Sequence, residues 1–328
     1  PPWRIVLLPR PDGRTVLLCR LHHAIADGMA LMRVLLSISD EQAAEPEPSP
    51  PPRSGRLRRR LAAGAGALRH PVRTLRGGLG YGEVGARLLL RRPDPPSALR
   101  GPLGARKKTA WSQAVPLSVV KRIGRAEGAT VNDVLVAAVA GALRRYLEPS
   151  SAPPVSVRAM VPVNLRSMTG PVELGNRFGL VMLSLPLSVA DPRARLRETK
   201  RRMDQLKGEQ EAVVAFVFLE ALGQLDRRFE APFVRFFSDK ASLVLTNVPG
   251  PRSPLHLAGH AIRRLMFWVP QSGSLALGIS ILSYAGDVFI GVMTDEAVIA
   301  EPARIVEGFE AELRLLGDVV RGPGRGEA

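Results

Sequence analysis

The stretch RLHHAIADGMA, at residues 20–30, holds the side chains of this sequence that are best suited to acid–base chemistry. Two adjacent histidines, His22 and His23, follow the apolar run TVLLC, and Asp27 and Gly28 come shortly after them. A neutral imidazole in a loop beyond a strand can take a proton from a hydroxyl group, because its ordinary pKa is about 6.5. The pattern therefore favours a histidine of this pair as a general base, with Asp27 positioning the loop and Gly28 opening the next helix.

Two other interpretations of this stretch remain open on chemistry alone. His23 and Asp27 have the i, i+4 spacing of metal ligands on a helix, but the glutamate of an H-E-x-x-H site is absent. No further histidine follows at a suitable spacing, which makes the metal site the weakest interpretation. The histidines could instead be buried and hydrogen-bonded, beside an aspartate that caps a helix.

Other catalytic patterns are absent from the sequence. It contains neither a G-x-S-x-G nucleophile elbow nor a glycine-rich phosphate loop. Cys19 lies within an apolar run, which disfavours it as a nucleophile. Because it is the single cysteine, a disulfide framework is excluded and a reducing compartment is favoured. A transfer reaction on this chain is therefore expected to be direct, without a covalent enzyme intermediate.

Charge and composition restrict the partners without choosing one. The 328 residues carry a formal net charge of +16, and only six of the 46 basic residues are lysines. Such a chain is attracted to anionic lipid surfaces and to nucleic-acid phosphates. Because aromatic residues make up only 5%, single-strand recognition by base stacking is disfavoured. No apolar run reaches the ~18 residues of a membrane-spanning helix, and no signal peptide is visible.

The periodicity of the apolar residues predicts a mixed α/β fold in two lobes. Two apolar runs on either side of Asp12-Gly13 predict a β-hairpin or two adjacent buried strands, and Asp27 is expected to cap the helix that follows. Residues 41–110 are rich in proline and arginine and are expected to be a linker, between a first lobe at 1–40 and a second at 111–328. Because the chain begins abruptly at PPWRIVLL, we expect an N-terminal part of the first lobe to be missing.

The second lobe is predicted to alternate irregularly between helices and strands. Its elements are a long apolar helix capped by Thr130, strands at 155–166 and 176–187, helical segments at 191–226, strands ending at TNVPGP and on either side of Ala285-Gly286-Asp287, and a closing helix that begins at Pro302.

Two stretches within the expected linker combine arginines with regularly spaced leucines. GRLRRRLAAGAGALRH carries Leu57, Leu61 and Leu68 along one side, and VGARLLLRR, at 84–92, repeats the theme. Basic amphipathic segments of this type bind membrane surfaces. The alternative is a pair of solvated helices that cover the body of the protein, and the sequence does not choose between the two.

The motif HHAIADG resembles the HHxxxDG signature of the CoA-dependent acyltransferase superfamily, which includes chloramphenicol acetyltransferase-like enzymes, peptide-synthetase condensation domains and plant acyltransferases. Further blocks make the chain resemble the bacterial wax ester synthase/diacylglycerol acyltransferase family: PPWRIVLL, ATVNDVLVAAVAGALRRYL, VPVNLR, ELGNRFG and TNVPGP. The resemblance covers nearly the whole chain. It implies a two-lobed chloramphenicol acetyltransferase-like fold, with mixed sheets, flanking helices and a channel between the lobes.

The resemblance also implies roles for particular residues. His23 would be the base that deprotonates the acceptor hydroxyl, with His22 in support and Asp27 in a structural role. Asn247 is a candidate hydrogen-bond donor to the oxyanion or a positioning residue, and Asn132 is a weaker candidate. The other motif residues have structural interpretations, namely Gly28 at the helix start, Asp133 as a helix cap, and Pro249 and Gly250 in a turn that Asn247 could itself cap.

These inferences predict an O-acyltransferase that moves a long-chain acyl group from acyl-CoA, its co-substrate, to diacylglycerol or a fatty alcohol. We expect no cofactor and no metal, and a cytoplasmic protein that attaches peripherally to a membrane or lipid-droplet surface. A nucleic-acid partner is not expected. Two alternatives are an acyltransferase of another branch with a carrier-bound or polyketide substrate, and a catalytically silent lipid- or nucleic-acid-binding relative.

Overall fold

The computed structural model of the chain contains two stretches that contact each other, which we call the N-terminal part (residues 2–40) and the C-terminal part (residues 85–321). His23 and residues 41–84 of the expected linker lie outside the described residues. The described residues are 2–22, 25, 27–40, 85–148, 156–165, 178–207, 214–216, 227–271 and 273–321.

The N-terminal part consists of an antiparallel hairpin followed by one helix. The hairpin turns at Asp12-Gly13, as predicted, and Trp3 at its open end pairs with Leu21. Asp27 caps the helix, also as predicted. The elements are β1 (Trp3–Pro9), β2 (Thr15–Leu21) and α1 (Gly28–Ser37).

The predicted hairpin is confirmed, but the alternative of two buried strands is wrong. Leu7 is 67% exposed, and Leu8 and Leu18 are also exposed. Within the described ranges, β1 and β2 pair only with each other, so no further strand extends this sheet. An apolar run predicts burial only where a second layer covers it, and a two-stranded ribbon provides no such layer by itself.

A seven-stranded mixed sheet forms the centre of the C-terminal part. Its strand order is β3-β11-β10-β7-β5-β6, and β4 pairs with the start of β11. Strand β7 is parallel to both β10 and β5, whereas the other pairs are antiparallel. The strands are β3 (Lys107–Trp111), β4 (Val115–Pro116), β5 (Val157–Asn164), β6 (Phe178–Leu185), β7 (Leu243–Pro249), β10 (Leu277–Tyr284) and β11 (Asp287–Asp295), with β8 (His256–Leu257) and β9 (His260–Ala261) forming a separate small hairpin.

Helices pack on this sheet and enclose the main hydrophobic core. The helix at Val131–Leu147 is buried along most of its length, and it lies close to the last helix because Gly308 faces Ala142. A Cβ atom at Gly308 would lie 3.1 Å from the Ala142 Cα. The helices are α2 (Leu117–Ala126), α3 (Val131–Leu147), α4 (Pro192–Lys207), α5 (Arg227–Ser238) and α6 (Pro302–Arg321).

Among the described helices, none has by itself both the length and the hydropathy that a membrane span requires. Helices α2 and α3 meet them only when taken together, and they are bent by 98° at their junction.

Residues 85–110, the last part of the expected linker, pack onto the rest of the C-terminal part. Strand β3 pairs with β11, and Leu99 is fully buried in the main core. The carboxylate of Asp94 accepts hydrogen bonds from Arg158 Nε and from the Arg158 backbone N–H, both at 2.9 Å. The composition suggested a linker, but the charged side chains of this segment anchor it to the sheet.

The second basic amphipathic stretch is helical at residues 85–90. Leu88 is buried, while Leu90 is exposed. Lys240 Nζ donates hydrogen bonds to carbonyl oxygens at the end of this helix, Leu89 O and Arg91 O. Burial lowers the pKa of Lys240. These contacts favour the alternative in which this stretch covers the body of the protein.

Most predicted elements of the C-terminal part are confirmed. The strands at 155–166 and 176–187 are β5 and β6, and the turn at Ala285-Gly286 joins β10 to β11 with both residues at positive φ. Helix α5 was not predicted, and it contains an internal proline, Pro232, a residue that normally ends a helical pattern.

Candidate functional site

The double-histidine stretch begins where β2 ends. The His22 backbone N–H donates to the Pro2 carbonyl oxygen at 2.8 Å, which extends the hairpin ladder by one residue. The Ile25 N–H then donates to the His22 carbonyl oxygen at 3.0 Å. The His22 side chain is exposed. The backbone is therefore fixed by hydrogen bonds as far as His22. His23 itself is outside the described residues.

Asp27 is a buried helix cap. Its backbone is extended, with φ −75° and ψ 171°, and its Oδ1 accepts a hydrogen bond from the Ala30 N–H at 2.9 Å. The Leu31 N–H donates to the Asp27 carbonyl oxygen, also at 2.9 Å, and starts the helix. A carboxylate at this position satisfies a free N–H group and interacts favourably with the helix dipole. Asp27 thereby fixes the direction in which α1 leaves the histidine stretch.

The start of α1 contacts the end of β7 in the C-terminal part. A Cβ atom built on Gly28 would lie 3.6 Å from Val248 Cγ2, an ordinary van der Waals distance. Further along the helix, Leu36 packs against a cluster formed by Leu255, Tyr284 and Phe289. The histidine stretch is therefore held next to the strand that carries Asn247.

Asn247 and Asn132 form a hydrogen-bonded pair across the C-terminal part. Asn247 lies in β7 beside Val248, and its Nδ2 donates to Asn132 Oδ1 at 2.9 Å. Asn132 lies in the first turn of α3, and both side chains are partly buried. Because an amide has several donor and acceptor sites, Asn247 can make this contact and still present hydrogen-bonding groups to a ligand. The side-chain amide of Asn247 thus links β7 to the start of α3.

Asp133 caps α3 and is not part of the Asn132–Asn247 pair. Its Oδ2 accepts from the Thr130 N–H at 2.8 Å, and its own N–H donates to Thr130 Oγ1 at 3.2 Å. This reciprocal arrangement is a capping box, and Asp133 is fully buried. The expected caps at Thr130 and Asp133 are confirmed, and they fix the helix start on which Asn132 sits.

Pro249 and Gly250 take the chain away from β7 and along the end of β10. The Gly250 N–H donates to the Ser283 carbonyl oxygen at 3.0 Å, and the Ala285 N–H donates to the Pro251 carbonyl oxygen at 2.9 Å. A Cβ atom at Gly250 would overlap the Ser283 carbonyl oxygen. Only glycine allows this close approach of two backbones.

The structure thus gathers most of the predicted residues at one junction. The capped start of α1, with Gly28, meets the end of β7, whose Asn247 is held by Asn132. Asp133 lies in the helix cap behind this junction, and the turn at Pro249 shapes its edge.

The Asn132–Asn247 contact was not predicted as a pair. The two residues are far apart in the sequence, and the local signal at each is an asparagine next to an apolar run. In the part of the chain that the structure describes, no three His, Cys, Asp or Glu side chains are arranged to hold a metal.

Two family models match consecutive parts of the chain. The model described as the wax ester synthase/diacylglycerol acyltransferase catalytic domain matches residues 1–135. The model described as the WS/DGAT C-terminal domain matches residues 174–317. The two matches follow each other in the order of the predicted sequence blocks and together include every residue of the junction.

Named relatives and solved structures agree with these matches. A Mycobacterium tuberculosis protein named as a probable diacylglycerol O-acyltransferase is 28% identical over 331 residues, which cover 94% of this chain and 70% of that protein. The wax ester synthase/diacylglycerol acyltransferase from Marinobacter aquaeolei VT8 has a similar structure, with a TM-score of 0.64, 21% identity, and 98% of this chain and 72% of that chain covered.

A more distant structural relative shares the fold. The first condensation domain of the calcium-dependent antibiotic synthetase matches with a TM-score of 0.58 and 18% identity, over 98% of this chain and 68% of that chain. At this level of identity the likeness concerns the fold alone. Together with the Marinobacter structure, it confirms the predicted chloramphenicol acetyltransferase-like fold of mixed sheets and flanking helices.

Proposed function

The chain belongs to the wax ester synthase/diacylglycerol acyltransferase family and is an O-acyltransferase, and we propose that it moves a long-chain acyl group from acyl-CoA to diacylglycerol or a fatty alcohol. The observation that carries the proposal is the close approach of Gly28 to Val248, since a Cβ atom built on Gly28 would lie 3.6 Å from Val248 Cγ2. It places the end of the HHxxxDG motif beside the strand end that carries Asn247. We propose that a base from the motif and an amide donor from this strand end act on one reacting group.

In this proposal His23 is the general base. Its imidazole takes the proton of the acceptor hydroxyl, and the acceptor oxygen attacks the thioester carbonyl carbon to form a tetrahedral oxyanion. When the oxyanion collapses, the carbon–sulfur bond breaks and the imidazolium returns the proton to the CoA thiolate. The products are the ester and free CoA, so no group stays on the protein and no further reactant is needed.

Asn247 is proposed to act on the oxyanion or to position the reacting group. A hydrogen-bond donor directed at an oxyanion contributes on the order of 3–4 kcal/mol to catalysis. Asn132 accepts one Asn247 N–H at 2.9 Å, which fixes the orientation of the amide plane. Preorganisation of this kind lets the donor act without rotating during the reaction.

His22 and Asp27 are proposed to support the base. The backbone of His22 is fixed to Pro2 at 2.8 Å, and Asp27 caps α1 on the other side of His23. The stretch between them is therefore anchored at both ends. We propose that this anchoring is a contribution of the aspartate to the reaction.

We also propose that the enzyme works at a cytoplasmic membrane or lipid-droplet surface without a cofactor, with acyl-CoA as co-substrate. The net charge of +16 and the arginine-rich stretch at 55–70 support attraction to anionic lipid. The stretch at 84–92 supports this less, because Leu88 is buried on the C-terminal part. Both greasy substrates accumulate at such a surface.

The reaction class is tested by following release of the CoA thiol from palmitoyl-CoA with diolein, hexadecanol or no acceptor. We expect release that depends on the acceptor, together with formation of the matching ester. A palmitoyl group on a carrier-protein phosphopantetheine serves as the competing donor. Preference for the carrier-bound donor would place the enzyme in another acyltransferase branch, and no ester with either donor would exclude the proposed function.

A further inference from the structure

The C-terminal end of α1 is tied to the small β8–β9 hairpin by a single carboxylate. Asp40 Oδ1 accepts a hydrogen bond from the Ala258 N–H at 3.0 Å, and Oδ2 accepts one from the Gly259 N–H at 2.7 Å. In addition, the Asp40 N–H donates to the His256 carbonyl oxygen at 2.9 Å. Three hydrogen bonds thus join the N-terminal part to the tip of this hairpin.

The hairpin tip has a backbone shape suited to an anion. Ala258 and Gly259 both have positive φ, +50° and +76°, so two consecutive N–H groups converge on the carboxylate. A left-handed conformation is unfavourable for alanine, and such strain persists only where the surrounding contacts outweigh it. Hydrogen bonds from successive backbone N–H groups to a charged acceptor are stronger than neutral ones.

The hairpin is itself fixed to the central sheet. Tyr284, in β10, accepts the Leu255 N–H through its hydroxyl oxygen at 2.8 Å and donates the hydroxyl proton to the Ile262 carbonyl oxygen at 2.6 Å. The Ile262 N–H donates to the Leu255 carbonyl oxygen at 2.8 Å, which closes the base of the hairpin. A continuous set of hydrogen bonds therefore runs from β10 to the carboxylate of Asp40.

Helix α1 connects this contact to the candidate site. It has 10 residues and spans about 15 Å, with Asp27 at its start and Asp40 just beyond its end. A helix held at only one end can rotate about that end. With Leu36 packed in its last turn and Asp40 bound just beyond it, the C-terminal end of α1 is fixed, and this sets the direction from which Gly28 approaches Val248.

We propose that Asp40 is a positioning residue for the transfer reaction. By binding the β8–β9 tip, it fixes α1 and hence the place of the helix start, at Asp27 and Gly28, beside the end of β7. This inference rests on the proposed acyl transfer. Asp40 is exposed and lies outside the motif, at the other end of α1. We infer that it affects the rate of the reaction but not the binding of acyl-CoA.

The test compares Asp40→Ala and Asp40→Asn with a control, Asp12→Ala. Asp12 is also exposed and accepts a backbone hydrogen bond, from the Arg14 N–H at 3.2 Å, but it lies in its own hairpin turn. For Asp40→Ala we expect kcat to fall about tenfold, while the KM for acyl-CoA and the melting temperature of the protein stay unchanged. Asp40→Asn, which keeps one acceptor oxygen, should fall between Asp40→Ala and the parent. Asp12→Ala should match the parent.

A second readout separates this inference from the proposed function. Amide hydrogen exchange in α1 should become faster in Asp40→Ala and stay at the parent rate in Asp12→Ala. Unchanged exchange in Asp40→Ala, or a kcat equal to that of the parent, would overturn the positioning role. A parent chain that forms no ester would instead refute the proposed function, and faster exchange in α1 would then still show that Asp40 holds the helix.

Discussion

Asn247 in β7 and Asn132 at the start of α3 share a hydrogen bond of 2.9 Å, although 115 positions separate them in the chain. The contact joins two sequence blocks that the family resemblance treats separately. It also gives Asn132 a physical reason to matter without touching substrate, since it orients the amide of its partner.

This pairing predicts a specific pattern in a double-mutant cycle. Asn247→Ala should lower kcat by about 10²-fold, the effect of removing a donor at an oxyanion. Asn132→Ala should lower it by about tenfold, and the double variant should be no slower than Asn247→Ala, because Asn132 acts through Asn247. Steady-state kinetics measure this, with Gln113→Ala, an exposed amide elsewhere in the C-terminal part, as the control. Additive losses would mean that the two residues act independently.

The two glycines of the junction should respond differently to alanine. At Gly28 the added methyl group would meet Val248 Cγ2 at 3.6 Å, so Gly28→Ala is expected to leave the free energy of unfolding within about 1 kcal/mol or raise it, because alanine favours helices. At Gly250 the methyl group would overlap the Ser283 carbonyl oxygen, and Gly250→Ala is expected to cost about 1–3 kcal/mol. Urea unfolding of both variants decides this. If Gly250→Ala lowered the free energy of unfolding no more than Gly28→Ala does, the close approach of the Gly250 backbone to Ser283 would not require glycine.

The acid stability of the sheet should depend on Asp295 at the end of β11. Burial alone would raise the pKa of Asp295, but the hydrogen bonds from Lys107 Nζ, at 2.5 Å, and from the Gly104 and Ala297 N–H groups outweigh it. The pKa is therefore below its ordinary value of 3.8. The ionised form is favoured in the folded state, so this contribution is complete above the ordinary pKa and is lost as the pH falls through the lowered one.

The expected result is a difference between the parent and Asp295→Asn that is constant at neutral pH and shrinks below about pH 4. Denaturant unfolding at a series of pH values measures it. Other carboxyl groups titrate in both proteins, and subtraction removes their effect. A difference that stays constant down to pH 2 would show that Asp295 has an ordinary pKa in the fold.

The arginine-rich stretch predicts binding to anionic vesicles. Replacing Arg58, Arg59 and Arg60 by glutamine should weaken binding to vesicles that contain phosphatidylserine by about 1 kcal/mol for each arginine, and less at high salt. The control removes the same charge from the exposed side of α2, with Lys121, Arg122 and Arg125 replaced by glutamine. Equal weakening in a vesicle sedimentation assay would mean that overall charge, and not this stretch, drives the attachment.

Local signals in the sequence were sufficient for the helix starts and turns of the site. Asp27 and Thr130 cap their helices as predicted, because a cap depends on residues only a few positions apart. The same holds for the turn at Ala285-Gly286, which the sequence places between two apolar runs. The site residues were identified through the resemblance, not through such local rules.

Contacts between distant segments could not be predicted from the sequence. The exposure of Leu7 and Leu18 depends on which layers cover the hairpin, and an apolar run does not contain this information. Residues 85–110 have the composition of a linker, yet Asp94 finds Arg158 on β5. The Asn132–Asn247 pair and the contacts of Asp40 also join segments that only the folded chain brings together.

His23 is the proposed base of an acyl transfer to an alcohol. The most direct test measures acceptor-dependent release of the CoA thiol by the parent, His23→Ala and His22→Ala, with melting temperatures to confirm folding. We predict a loss of about 10³-fold for His23→Ala and no more than about tenfold for His22→Ala. Equal losses in the two variants, or acceptor-dependent transfer that survives the loss of His23, would contradict the account.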